Sequence, residues 1–223
     1  MEFDDMVINV GVRYDQFDPE SVYPSDRRNP ANQLILPDSM MSLYPQAPVI
    51  SQISPRVGFA YQLGGQAVLH FSYGHFFQMP PMYAMYQNNS FLVDPNNFVT
   101  RMGNTLLEPE KTITYEIGLW QELNQVMALD VALFYRDIYN LLTTKTISTY
   151  NQVKYGLYSN KDYGNVRGLE LKLDLAMGQL KGMVNYTLQY TRGNADSPGQ
   201  TFDRAGNNQD PVNRLIPMGW DQR

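Results

Sequence analysis

Two stretches decide the fold: Ala67-Val68-Leu69-His70-Phe71-Ser72-Tyr73-Gly74 and Thr112-Ile113-Thr114-Tyr115-Glu116-Ile117-Gly118-Leu119. In the first, Leu69, Phe71 and Tyr73 alternate with His70, Ser72 and Gly74. In the second, Ile113, Tyr115, Ile117 and Leu119 alternate with Thr112, Thr114, Glu116 and Gly118. Successive side chains of an extended strand point to opposite faces, so each stretch predicts a strand with one apolar and one polar side. Met79-Pro80-Pro81 ends the first strand, because two residues without an N–H cannot continue a ladder.

The same alternation recurs on either side. Met6, Ile8, Val10, Val12 and Tyr14 oppose Val7, Asn9, Gly11 and Arg13, and Val57, Phe59, Tyr61 and Leu63 oppose Arg56, Gly58, Ala60 and Gln62. Further on, Met127 to Tyr135 alternates and runs on through Ile138 and Leu141. Leu169 to Leu175 and Leu180 to Tyr190 complete a set of about seven strands, with no helical period of useful length. Gly64-Gly65, Leu123-Asn124 and Gly178-Gln179 are tight turns, and the first supplies the positive-φ positions of a two-residue hairpin. The other connections are long: Asp15 to Ser54, Gln78 to the strand at Thr112, a polar segment from Ser148 to Asn160, and a Gly-, Asn-, Asp- and Pro-rich end at Trp220-Asp221-Gln222-Arg223. Short and long connections therefore fall at opposite ends of an up-and-down antiparallel sheet. Outer-membrane barrels segregate loop length in this way, and alternating runs of about nine or ten residues suit a tilted strand crossing the hydrocarbon.

Composition fits this reading. The 223 residues contain no run long and apolar enough for a transmembrane helix, which leaves a barrel open because barrel strands interleave polar residues. A net charge of −5 argues against a nucleic-acid partner, which needs a basic patch. Cysteine is absent, which removes disulfides, thiol catalysis and thiolate metal sites. The start, Met1-Glu2-Phe3-Asp4-Asp5, has none of the regions of a secretory signal, so an exported protein would require a longer chain.

Periodicity alone does not separate a soluble sheet with its apolar face inward from a membrane barrel with that face outward. Charge distinguishes them. The apolar parity is free of Lys, Arg, Asp and Glu through the middle of each strand. The other parity carries Arg56, Glu116, Arg136, Glu170 and Lys172, together with His70, and is expected to face a water-filled interior. Tyr61 and Trp120 near the short turns, and Tyr14, Tyr73, Phe77, Tyr135, Tyr139 and Tyr190 toward the long loops, predict two interfacial aromatic belts.

These features, taken with several phrases in order, resemble the barrel domain of TonB-dependent outer-membrane receptors. The phrases are Val7-Ile8-Asn9-Val10-Gly11-Val12-Arg13-Tyr14-Asp15, Ser54-Pro55-Arg56-Val57-Gly58, Phe71-Ser72-Tyr73-Gly74-His75-Phe76-Phe77-Gln78, Leu107-Glu108-Pro109-Glu110-Lys111-Thr112, Phe134-Tyr135-Arg136-Asp137-Ile138 and Asn165-Val166-Arg167-Gly168-Leu169-Glu170. The likeness is greatest to receptors with a carboxypeptidase-regulatory-like domain ahead of the plug. It implies a ~22-stranded barrel with a plugged lumen in a Gram-negative outer membrane. Residues 1–223 would then form part of one barrel domain, with plug, signal peptide and remaining strands absent. The implied partners are membrane lipid, the TonB complex through the missing plug, and a bulky nutrient such as a siderophore, cobalamin, glycan or peptide. Alternatives are a passive porin or adhesion barrel, or an outer-membrane lipase.

No cofactor, metal site or catalytic site is expected. His70 and His75 lie on opposite strand faces and cannot share a metal, and His70 with Ser72 lacks the fixed geometry of a nucleophile and its base. Arg136-Asp137 and the Arg167-to-Glu170 stretch read as a charged lumen wall. The loop from Gln78 to Met102 is the recognition candidate, because Met and aromatic side chains among Asn and Gln offer adaptable contact area. Within it Tyr83, Tyr86, Phe91 and Phe98 are expected to line the extracellular entrance, against the plainer alternative that they pack the loop onto its neighbours.

Overall fold

A computed structural model describes residues 2–3, 5–97, 100–194, 197 and 215–222. Strands β1 (Glu2–Phe3), β2 (Met6–Phe17), β3 (Ile50–Leu63) and β4 (Ala67–Gln78) are followed by a short helix α1 (Met82–Tyr86) and by β5 (Arg101–Met102). Then come β6 (Glu110–Asn124), β7 (Met127–Ser148), β8 (Lys154–Met177), β9 (Leu180–Gly193) and β10 (Ile216–Pro217). All join in one sheet in the order β1-β2-β3-β4-β6-β7-β8-β9-β10, each neighbour antiparallel, while β5 pairs in parallel with β8. The described sheet has ten strands where about seven were expected, and its path is open, not closed. The seven long strands are those read from the sequence; the three additions are two residues each and too short to show any period.

Cross-strand partners share a face, so the register shows which side chains sit together. One row runs Val10–Val57–Tyr73–Tyr115–Tyr135–Arg167–Tyr190. Two residues down every strand, the next row on that face is Ile8–Phe59–Phe71–Ile117–Leu133–Leu169–Leu188, and the next Met6–Tyr61–Leu69–Leu119–Val131–Leu171–Tyr186. Ile117 is 48% exposed and Leu133 55%, and neither Leu69 nor Leu171 is buried, so this face is not a protein core. From Met127 to Tyr135 a rise of about 3.3 Å per residue covers about 26 Å of strand, or about 20 Å of height at a ~40° tilt. The outer apolar band of membrane barrels is ~25 Å tall.

The opposite face carries the row Gly11–Arg56–Gly74–Thr114–Arg136–Val166–Thr191, then Asn9–Gly58–Ser72–Glu116–Phe134–Gly168–Gln189, then Val7–Ala60–His70–Gly118–Ala132–Glu170–Thr187. Close approach across strands requires glycine here. A Cβ on Gly168 would collide with the Leu188 carbonyl and the Phe134 ring, and one on Gly118 would collide with the His70 imidazole.

Three expectations need correcting. Trp120 pairs with Val68 and Asp130 and so lies on the polar face, not in an outer belt; its parity follows Glu116 and Gly118. Tyr61 keeps its outer position, beside Leu69 in the ladder. Arg167 lies between Tyr135 and Tyr190 on the apolar face at its upper edge, not in the polar wall. The Ser148–Asn160 segment is a connection only at residues 149–153, because β7 and β8 pair from Met127–Leu175 to Ser148–Lys154. At 22 residues β7 spans about 70 Å, well over twice the membrane band, so this hairpin projects far beyond it.

The face assignment predicts the cost of a charge. Leu133→Arg in the full-length protein in lipid vesicles should lower the unfolding free energy by about 2–4 kcal/mol, whereas Ala132→Arg, beside Glu170, should cost less than about 1 kcal/mol. Denaturant titration of each variant measures both.

Candidate functional site

The polar face gathers the charged residues. Arg56, His70, Glu116, Arg136, Glu170 and Lys172 all lie on it by register, and Arg56 and Arg136 share one row. A concave cavity of about 740 Å³ on this face is lined by Arg56, Glu116 and Arg136, with Asn9, Ser72 and Thr114 among its walls. The guanidinium of Arg56 stacks over Phe76 at 4.7 Å and that of Arg136 over Phe134 at 4.8 Å, which fixes both flexible side chains against rings. Lys172 is neutralised locally by Asp174, 2.8 Å away. Among the described residues no group of three or more His, Asp or Glu is placed to hold a metal ion.

The two buried apolar clusters lie elsewhere, where the long connections meet the β7–β8 hairpin. One cluster joins Ala84, Met85, Leu107 and Tyr158; a second joins Val93, Met102, Tyr155 and Leu157. The connection from β4 to β6 reaches past β7 to lay β5 against the edge of β8, with the Gly156 N–H donating to the Thr100 carbonyl at 2.8 Å. That pairing covers a strand edge that β9, ending at Gly193, leaves open. Residues 18–49 form a second folded connection, closed by the Val22–Gln46 bridge and by Asn29, 2% exposed, which donates to the Leu34 carbonyl at 3.0 Å. Polar bonds then fuse the pieces. Tyr155 donates to the Arg27 carbonyl (2.7 Å), Tyr150 to Asp26 (2.8 Å), and the Gln33 amide exchanges two bonds with the Val93 backbone. Burial raises the Tyr155 hydroxyl well above its ordinary value, so it stays a neutral donor at any physiological pH.

The four predicted entrance residues fare differently. Tyr83 is 52% exposed on α1, its ring meeting Tyr158 edge-on at 5.7 Å. Tyr86, on the same helix, is half-buried against the first cluster and donates to the Pro19 carbonyl at 3.0 Å. Phe91 is half-buried against the second cluster and stacks on Tyr44 at 5.8 Å. Phe98 lies outside the described residues. Tyr83 and Tyr86 thus share one turn, while Phe91 belongs to a different cluster. Sequence reading missed Tyr155 and Tyr158, which lie in the segment taken as a polar loop, and it missed Asn104. That side chain accepts from Arg27 (3.0 Å) and from the Leu106 N–H (3.2 Å) and donates to the Tyr158 carbonyl (2.9 Å). Spaced tyrosines in a stretch otherwise polar were the available signal.

The family model described as TonB dependent receptor-like, beta-barrel matches residues 1–217. The chain belongs to the TonB-dependent receptor β-barrel family. That membership accounts for the two-faced sheet and places the protein in the outer membrane of a Gram-negative bacterium. No curated protein matches the chain. Among solved structures, the FrpB iron transporter of Neisseria meningitidis is 16% identical with a TM-score of 0.56, over 86% of this chain and 24% of that one. The Serratia marcescens hemophore receptor HasR, solved with HasA and heme, is 19% identical with a TM-score of 0.56, over 83% of this chain and 31% of that one. The alcaligin receptor FauA of Bordetella pertussis is 18% identical with a TM-score of 0.51, over 88% and 29%. At these identities the likeness concerns the fold. The chain spans roughly a quarter to a third of those receptors, all of them transport or receptor proteins and none an enzyme.

If Asn104 knits the loops of this receptor barrel together, Asn104→Ala should lower the opening free energy of amides near residues 100–107 and 155–158 by about 1–3 kcal/mol. Amides of β3 and β4 should be unaffected. Native-state hydrogen exchange on the full-length receptor reads both.

Proposed function

We propose that this chain supplies part of the barrel wall and the extracellular loops of a receptor for TonB-energised uptake of a bulky, scarce nutrient. A siderophore, cobalamin, glycan or peptide fits that class. The observation that carries this reading is the loop mass above the membrane band: three chain segments far apart in sequence pack into one ordered body. Ordering so much connection costs conformational entropy, and long ordered connections are usually functional, often as binding loops. Ligand would meet the exposed ring of Tyr83 first, with Tyr86, Phe91 and Phe98 completing or supporting the entrance. Arg56, His70, Glu116, Arg136, Glu170 and Lys172 would line the wet interior, against which a plug supplied elsewhere in the whole protein sits. Its TonB-contacting segment would carry the energising force.

In whole cells, deleting TonB should abolish uptake of the nutrient by this receptor; uptake that persists identifies a passive barrel. Binding should weaken about tenfold or more when Tyr83, Tyr86, Phe91 and Phe98 are replaced together by Ala. Since Tyr86 and Phe91 also pack the loops, Tyr83→Ala alone separates contact from folding, and an affinity unchanged in both variants removes the four from the site.

A further inference from the structure

A separate cavity of about 360 Å³ lies where the two folded connections meet the β7–β8 hairpin, with Arg27, Asn104, Glu108, Asn140 and Lys145 in its walls. The amides there are already committed. Asn104 bonds Arg27 and the Tyr158 carbonyl, and Asn140 donates to Glu108 at 3.0 Å and to the Pro109 carbonyl at 3.3 Å. The cations lack an acid: Arg27 lies over the Tyr23 ring, 5.8 Å from its centroid, which leaves its charge without a counter-ion. The ion pairs among the described residues are Arg13–Asp15 and Lys172–Asp174, so among those residues neither Arg27 nor Lys145 has a carboxylate partner. One guanidinium nitrogen of Arg27, Nη2, reaches Asn104, while Nη1 is shielded from solvent with no acceptor. Burial presses the Arg27 pKa downward, and Tyr155 and Tyr23 offset this only in part.

Among the described residues the cavity's one carboxylate, Glu108, is exposed and held by Asn140. Two cations against one acid leave it net positive in a chain whose net charge is −5. A positive recess walled by low-dielectric protein concentrates anions. We propose that this cavity is a ligand subsite for an oxyanionic group, a carboxylate or a phosphate, with Arg27 and Lys145 as its counter-charges. It rests on the receptor reading for what the ligand is, and it narrows the nutrient to one that carries such a group.

Calorimetric titration of the purified full-length receptor in detergent at low ionic strength, with citrate and with inorganic phosphate as probes, tests it. At least one probe should bind saturably, and which one binds tells carboxylate from phosphate. Lys145→Gln and Arg27→Gln should each weaken that binding about tenfold, a difference of about 1.4 kcal/mol. Lys181→Gln, at the far end of the sheet, should leave it unchanged. Lys145 is exposed on a strand, so if Arg27→Gln does not fold, Lys145→Gln decides alone. Binding of neither probe, or equal binding by Lys145→Gln and the unmodified receptor, overturns the proposal. No energised transport enters this measurement, so its failure is distinct from a loss of TonB dependence.

Discussion

Everything in this chain depends on one constraint: register must hold the apolar rows of seven long strands on the same face. Inside a bilayer no water pairs with a stray N–H or carbonyl, so backbone bonding has to close within the sheet. A slip of one residue would turn Leu69, Ile117, Leu133 and Leu171 inward and put Glu116 and Glu170 into lipid. The ladders keep step from Tyr61–Leu69–Leu119 up to Val57–Tyr73–Tyr115 without interruption. The irregularities fall beyond the band. One lies between Glu122 and Asn124 at the short turn; the others lie between Ile138 and Leu142 where the hairpin leaves the membrane region. At the second, Asn140 takes a positive φ of 60° and its side chain bonds Glu108, so the register change becomes an anchor for the loops.

Turning the apolar face outward moves the protein's own core. In a soluble sheet Leu69, Ile117, Leu133 and Leu171 would pack against a second layer. Here burial collects instead in the loop mass around Met85, Met102, Tyr155 and Leu157, tied by bonds such as Tyr155 to Arg27 and Tyr86 to Pro19. Wall and loops are thus stabilised by different means. The wall relies on ladder hydrogen bonds and lipid, while the loops rely on close packing and buried polar networks. Such a division lets the loops vary while the wall keeps its pattern.

The sequence was most legible where both faces have fixed and different surroundings. Leu169, Leu171 and Leu173 against Glu170, Lys172 and Asp174 leave no other reading. Legibility ended where that contrast ends. Beyond the membrane both faces of β7 and β8 meet water or loops, so Ser148 to Asn160 loses its alternation and reads as a polar connection although it is a paired hairpin. Trp120 was placed by residue type at an interface when its parity already put it beside Asp130. Arg167 was placed by charge when parity set it beside Tyr135 and Tyr190, at a height where a long cationic side chain reaches the headgroups. The loop clusters draw on segments too far apart for any local pattern to join, and α1 and β5 are too short to carry a period.

The most direct test of the central claim is a nitroxide scan. This chain has no cysteine of its own, so single cysteines at Leu69, Ile117, Leu133 and Leu171, and at the neighbouring positions Ala132 and Glu170, can each be spin-labelled in the full-length receptor in lipid vesicles. Labels at the four apolar positions should be accessible to oxygen dissolved in the bilayer and shielded from a water-soluble nickel complex, and the two neighbours should show the reverse. Labels at the four positions immobilised and shielded from both relaxants would show a packed protein interior, and the outward-facing assignment would be wrong.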